Sequence, residues 1–428
     1  MKIAVYTLGC KVNQYETQAL EQEIVRRGHE IADFEGAADA YIINTCSVTA
    51  VSDKKSRWAV RHARRNNPSA VVAACGCYVQ THEDEARTLG ADLLMGTNDR
   101  ARLLDLLEET ARTRRTIAEV DDALRRRSFE VLPAGGMTSR TRAMLKVEDG
   151  CVNFCSYCII PFARGPVRSL PPDEAAAQVR SLRAQGYREL VLTGIEISSY
   201  GQDFKDGTGL IDLLELIDRE GGGMRLRLGS LEPRTVTREF CERAVRLGSL
   251  CPHFHLSLQS GCDETLRRMN RRYSAARYLE SVALLREFFD DPAVTTDLIT
   301  GFPGETEEEF AATLTFIRSC GFASMHIFPY SIRPGTKAAQ LEQVEPRVRE
   351  ERAAAASAVA EEMHRAYLER CVGRVFPVLF EQEHGEGSIG HAPNYMSVTV
   401  AEKGLHNTVK NVRIRAVDGG VLRGEIKG

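Results

Sequence analysis

The run Cys151-Val-Asn-Phe-Cys155-Ser-Tyr-Cys158 constrains this chain more than any other feature. Structural zinc sites usually pair C-x2-C knuckles to reach four ligands. A CxxxCxxC run makes a zinc site only if a distant residue completes it. Three thiolates do suffice for three corners of a [4Fe-4S] cube, where thiolate ligation is the rule. The fourth iron is then left open to chelate a small molecule. The iron–sulfur alternative is favoured because the run opens a series of βα units.

At 428 residues the chain exceeds one ordinary core, so several domains are expected. A hydrophobic share of 43% and a charged share of 27% describe a globular protein, and a net charge of -3 gives no overall pull towards nucleic acid. Twelve cysteines without a secretory signal point to a reducing, cytoplasmic setting, where clustered thiols bind metal. The apolar stretch before Cys10 is too short for a signal sequence and reads as a buried strand. No run is long enough to span a membrane. A monomer is expected.

The fold class is α/β. Residues 1–115 alternate strand-like runs (Lys2 to Tyr6, Ala40 to Ile43, Ser69 to Ala74, Asp92 to Met95) with helical patterns, which predicts a doubly wound parallel sheet. Cys10, Cys46 and Cys77 each follow one of its first three strands. The carboxyl ends of such strands form the ligand crevice, so a second three-thiolate site is expected there. Taken singly, each would read as a small buried residue. Residues 116–136 read as a linker.

Residues 137–368 repeat the βα rhythm six times, as in an open, partial (β/α)6 version of the TIM barrel. Its strands start near Met144, Glu189, Arg225, His253, Val294 and Met325. Active sites of such barrels lie at the carboxyl ends of the strands, where the Cys151 to Cys158 loop falls. Pro346 opens a long helix, and residues 369–428 read as a small antiparallel β-barrel. There Arg413 and Arg415 alternate on one strand and share a face, suited to phosphates.

These segments together resemble the radical S-adenosylmethionine (SAM) methylthiotransferases along the whole chain. The front part resembles the family's N-terminal domain in Thr7-Leu-Gly-Cys10-Lys-Val-Asn13-Gln-Tyr-Glu16, Ile43-Asn-Thr-Cys46-Ser-Val and Gly76-Cys77-Tyr-Val-Gln80. The centre resembles the radical-SAM core in Asp149-Gly-Cys151 through Arg164-Gly165, Leu192-Thr-Gly194-Ile, Gly229-Ser-Leu-Glu232-Pro233, His255-Leu-Ser-Leu-Gln259-Ser-Gly261 and Asp297-Leu-Ile-Thr-Gly301-Phe-Pro-Gly-Glu305. The tail resembles the RNA-binding TRAM barrel. Cys158-Ile-Ile-Pro-Phe-Ala-Arg164-Gly-Pro-Val-Arg168-Ser169 is most similar to enzymes that convert N6-threonylcarbamoyladenosine (t6A) 37 of tRNA into its 2-methylthio form.

The resemblance implies two [4Fe-4S] clusters and SAM. Cys151, Cys155 and Cys158 would hold the catalytic cluster, whose electron splits SAM into a 5'-deoxyadenosyl radical. Cys10, Cys46 and Cys77 would hold the cluster that carries sulfur. Cys75 leaves the third front ligand open by spacing, although the Gly-Cys-Tyr context favours Cys77. Gly165, Gly194 and Gly301 would let backbone approach the cofactor, and Ser230, Glu232 and Gln259 would contact SAM or substrate. Arg164 and Arg168, whose planar forks match carboxylates, would hold the threonyl carboxylate. tRNA and a reductant protein are the implied partners, with the sulfur donor left undefined. Isopentenyladenosine or a ribosomal-protein aspartate would be the alternative substrates. A non-catalytic, metal-stabilised RNA-binding protein is the alternative of another class.

Overall fold

The computed structural model describes residues 1–136 and 141–427, so the expected start of the core at residue 137 lies outside the described residues. The front part is a parallel sheet of six strands: β1 (Lys2–Thr7), β2 (Glu30–Ala32), β3 (Ala40–Thr45), β4 (Val71–Gly76), β5 (Leu93–Met95) and β6 (Ile117–Glu119). Their order is β2-β1-β3-β4-β5-β6. Both β3 and β4 are buried from end to end, because helices cover both faces of a parallel sheet. Among these helices are α1 (Lys11–Arg26) and α2 (Ala50–Asn66), the latter capped by the Thr49 side chain on the Ser52 amide. The two edge strands, β2 and β6, are three residues each, too short to show a period in sequence. β6 comes from the stretch read as a linker and pairs in parallel with β5.

In the central part β7 (Arg142–Lys146) leads to a short antiparallel pair, β8 (Glu148–Asp149) with β9 (Arg168–Ser169). Next come β10 (Glu189–Thr193), β11 (Arg225–Arg227), β12 (Ser230–Leu231), β13 (His253–Leu256), β14 (Ala293–Thr300) and β15 (Ser324–Pro329). They form two parallel arcs, β11-β10-β7 and β12-β13-β14-β15, so the third expected strand is broken around Gly229. A Cβ at Gly229 would lie 2.9 Å from the Leu192 carbonyl, a close approach that only glycine permits. Side chains alternate in direction along each strand. Ala143, Leu145, Leu190 and Leu192 pack in the core beneath the helices, while Met144 and Val191 face the opposite way, onto Tyr15 and Ala19 of α1. The front helix α1 therefore packs against the inner face of the open barrel.

Helix Pro346–Cys371, with its proline in the first turn where no backbone donor is needed, leads into the tail. The tail is a closed barrel in the order β16 (Val375–His384), β17 (Gly387–His391), β18 (Ser397–Val400), β20 (Val421–Ile426) and β19 (Val409–Asp418). All its pairings are antiparallel except β18 with β20. β17 is the strand that sequence patterning misses, since Gly387 and Gly390 sit where Cβ atoms would strike the Val400 and Leu379 carbonyls. Arg413 and Arg415 face outwards as expected, but Arg415 sits at a β-bulge and pairs with Glu425 at 2.8 Å.

Candidate active site

The loop between β8 and β9 carries Cys151, Cys155 and Cys158. It is closed at its base by the β8–β9 pair and by the Cys151 amide donating to the Gly165 carbonyl at 2.9 Å. The Cys158 amide donates to the Cys155 carbonyl at 2.9 Å, which turns the chain between these two cysteines. All twelve cysteines of the chain are free. Burial pushes the Cys151 and Cys158 thiols up to about 12, so without a metal they are neutral. A bound metal deprotonates a coordinating thiol outright, and three such donors on one loop suit the three protein-held corners of an iron–sulfur cube. Arg271 reaches this set, with Nη1 3.4 Å from Cys155 Sγ.

Cys10, at the N-terminus of α1, Cys46, after β3, and Cys77, after β4, lie close enough for their charges to interact. A Cβ on Gly9 would come within 2.7 Å of Cys46 Sγ, so only glycine fits between Cys10 and its neighbour. The chain turns sharply at Gly76, φ 101°, into helix α3 (Cys77–Thr81). The turn delivers Cys77 to the other two thiols. Cys75 points into the apolar core with Leu93 and Leu104, and the charges nearest it are Arg100, Glu16 and Arg164. The structure thus groups Cys77, and not Cys75, with Cys10 and Cys46.

Between the two triads lies a buried network of charges. Glu16 of α1 pairs with Arg164 in a short contact, with Lys146 at 3.2 Å and with Arg100 at 3.5 Å. Asp149 pairs with Lys146 at 3.0 Å, Arg164 at 3.4 Å and Arg168 at 3.3 Å. Arg164 also donates to Asn13 Oδ1 at 2.6 Å. Burial alone would raise the Glu16 carboxyl, but Arg164, Lys146 and Arg100 outweigh it and hold the group at about 2. Burial likewise pushes Cys77 up to about 12, and the adjacent Arg164 opposes this.

This network corrects several expectations. The Arg164 side chain is 0% exposed, and both its terminal nitrogens are engaged, with Glu16, Asn13 and Asp149. Arg168 is buried and donates to the Arg164 and Pro166 carbonyls. Neither guanidinium is open to a substrate carboxylate: Arg164 ties the cysteine loop to Glu16 and Asn13 of the front domain, and Arg168 braces the loop itself through Asp149 and the Arg164 and Pro166 carbonyls. Gly165 and Gly301 are needed by the chain itself. A Cβ at Gly165 would lie 1.9 Å from the Ala123 carbonyl, and one at Gly301 2.2 Å from Arg349 Cγ. A Cβ at Gly194 would meet the Glu148 carboxylate at 2.9 Å.

The other expected contacts differ in openness. Ser230 is exposed and lines a cavity between the core and the tail. Glu232 pairs with Arg234 at 2.9 Å and caps the turn that follows. Gln259 holds a left-handed backbone, φ 68°, between its bonds to the Asp297 carbonyl and the Ile299 amide, the kind of strain that collects at functional sites. Sequence patterning missed Glu196, which burial pushes up to about 7 beside Cys151 and Glu232.

The barrel interior carries a second missed set. His255, Asp297 and His326 occupy three neighbouring strands, β13, β14 and β15, with one polar atom from each all within 4.8 Å of one another. Asp297 accepts from His255 Nε2 at 3.3 Å and His326 Nδ1 at 3.2 Å. They line a cavity of about 380 Å3 together with Lys11, Ser230 and Tyr395. A second cavity, of about 310 Å3, is lined by Lys11, Arg142, Arg227, Glu381 and Tyr395. Period-two alternation puts Asp297 on the same face as Thr295, the partner of His255, and directly across from His326, and this parity was the signal that could have revealed the triad.

The radical SAM superfamily matches residues 145–317, and uncharacterized protein family UPF0004 matches residues 2–96. The chain is 40% identical to the threonylcarbamoyladenosine tRNA methylthiotransferase MtaB of Bacillus subtilis, over 98% of this chain and 94% of that one. It is 33% identical to the tRNA-2-methylthio-N(6)-dimethylallyladenosine synthase of Symbiobacterium thermophilum, over 99% of this chain and 94% of that one. Among solved structures, the radical SAM methyltransferase TsrM of Kitasatospora setae, with cobalamin and a [4Fe-4S] cluster bound, superposes with a TM-score of 0.58 at 18% identity. That match covers 79% of this chain and 77% of that one and concerns the fold alone. Radical SAM chemistry brings SAM and an iron–sulfur cluster as cofactors. With both family regions in register and such identity over nearly its whole length, the chain belongs to the radical-SAM tRNA methylthiotransferase family.

Proposed function

We propose that this protein inserts a methylthio group at C2 of N6-threonylcarbamoyladenosine 37 of tRNA, in the cytoplasm, with two [4Fe-4S] clusters. One observation carries it: two separate cysteine triads, Cys151/Cys155/Cys158 and Cys10/Cys46/Cys77, flank one open barrel in a chain akin to a t6A enzyme. Adenine C2–H is neither acidic nor attached to a leaving group, so side-chain acid–base catalysis does not reach it and a cofactor must supply the hard step. Cys151, Cys155 and Cys158 would hold the cluster whose electron would cleave SAM, and the front triad would hold the sulfur-carrying one. Glu16, Arg164 and Asp149 keep the two triads in fixed relation. A separate reductant protein and a sulfur source complete the reaction.

The substrate is tested by nucleoside mass spectrometry of tRNA from a deletion strain. Loss of 2-methylthio-t6A with 2-methylthio-isopentenyladenosine unchanged is expected. Loss of the latter alone would reassign the substrate and leave the chemistry standing. No helix among the described residues is long and apolar enough to cross a membrane.

The front ligand set has its own test. Cys75→Ser, in the apolar core, should keep the full iron and sulfide content. Cys77→Ser should halve it and end sulfur insertion, while SAM cleavage continues. The reverse pattern would move the third ligand to Cys75.

A further inference from the structure

Lys11 is the first residue of α1 and follows Cys10 directly. Its side chain lines both cavities described above, and it makes no hydrogen bond or ion pair with any described residue. The other cations of this region are engaged. Arg142 pairs with Glu381 at 3.1 Å, and Arg227 with Glu189 at 2.7 Å. The anions are equally taken: Glu381 also meets His391 at 2.9 Å, and Asp297 is shared between His255 and His326. The side chain of His326 is 67% exposed, and with Nδ1 on Asp297 its Nε2 has no hydrogen-bond partner among the described residues. The region where front domain, barrel and tail meet thus presents an open ammonium and, when His326 is protonated beside Asp297, an open imidazolium N–H at Nε2, without an unpaired anion of its own.

A cation inside a cavity is partly stripped of water and is stabilised by a counter-charge. The substrate proposed above carries one. The N6 substituent of t6A ends in a carboxylate, and on the adenine ring only N1 separates C2 from the carbon bearing N6. A base that presents C2 to the sulfur held near Cys10 therefore presents its N6 side chain a short way along the same edge. Lys11 is the neighbour of Cys10 in sequence. We propose that Lys11 and His326 receive the carboxylate of the threonylcarbamoyl group, and so select this nucleoside over adenosines whose N6 substituent is uncharged. This rests on the t6A assignment. It also gives the carboxylate the partners that buried Arg164 and Arg168 do not provide.

The test compares binding of two anticodon stem-loops, one with t6A37 and one with unmodified A37, to the cluster-loaded full chain. Wild type should prefer the t6A loop. Lys11→Met should weaken the t6A loop by more than about tenfold, the scale of a lost hydrogen bond between charged groups, and leave the unmodified loop unchanged. His326→Ala should act in the same direction, and Lys11→Arg should restore most of the preference. Wild-type iron content in each variant shows that the fold is kept. An equal loss on both loops would assign Lys11 to a tRNA phosphate, and a loss of SAM binding alone would assign it to the SAM carboxylate. Either result, or an undiminished preference, overturns the proposal. If wild type converts t6A while both variants keep the preference, only this inference falls. If wild type neither prefers nor converts t6A, the substrate assignment falls with it.

Discussion

Replacing Cys151, Cys155 and Cys158 together by alanine is expected to abolish SAM cleavage and halve the iron and sulfide content. The loss should be chemical and not structural. The loop is held by backbone pairing, β8 with β9 and the Cys151 amide with the Gly165 carbonyl, none of which uses a thiol. The cysteine side chains are intermediate in burial and small, so truncating them leaves little cavity. The front triad draws its ligands from three different strand ends and stays intact. Cleavage is read as 5'-deoxyadenosine formed under reducing conditions without tRNA. Cleavage surviving in the triple variant would remove the catalytic assignment.

Glu16→Ala should destabilise the chain by about 3–5 kcal/mol, the cost of leaving partners of a buried ion pair uncompensated. Arg164, Lys146 and Arg100 would then remain buried with Asp149 as the one paired carboxylate in contact with two of them. The single tryptophan, Trp58, lies in α2 of the front domain and reports its unfolding in denaturant. A loss below about 1 kcal/mol, the value typical of an exposed pair, would show that water screens the network. The pH dependence follows in sign. The Glu16 carboxyl is held at about 2 in the fold against an ordinary 4.5. Its contribution is therefore complete above 4.5 and disappears as pH falls towards about 2. In cluster-free protein the gap between wild type and Glu16→Ala should narrow over that interval.

What was legible along the chain is what local physics controls. Fully buried strands such as Ala40–Thr45 and Glu189–Thr193 appear as apolar runs, because burial on both faces demands them. The six cysteines are legible too, since thiolates close in sequence or at matching strand ends need no long-range information to suggest a cluster. Three-residue edge strands were not, being shorter than any period.

The tertiary structure alone decided the roles of the charged residues. From its spacing Arg164 reads as a substrate ligand; its partner Glu16 stands 148 positions earlier, and only the docking of α1 onto the barrel joins them. Gly165 resembles a cofactor glycine, whereas its need comes from Ala123 in another segment. Lys11, inside the front motif, and His326, in none, meet only where three domains converge on one cavity. Backbone preference and side-chain periodicity act between neighbours in the chain and are written in the order of residues. Pairing and desolvation of charge act between neighbours in space, so they exist only once the domains have packed.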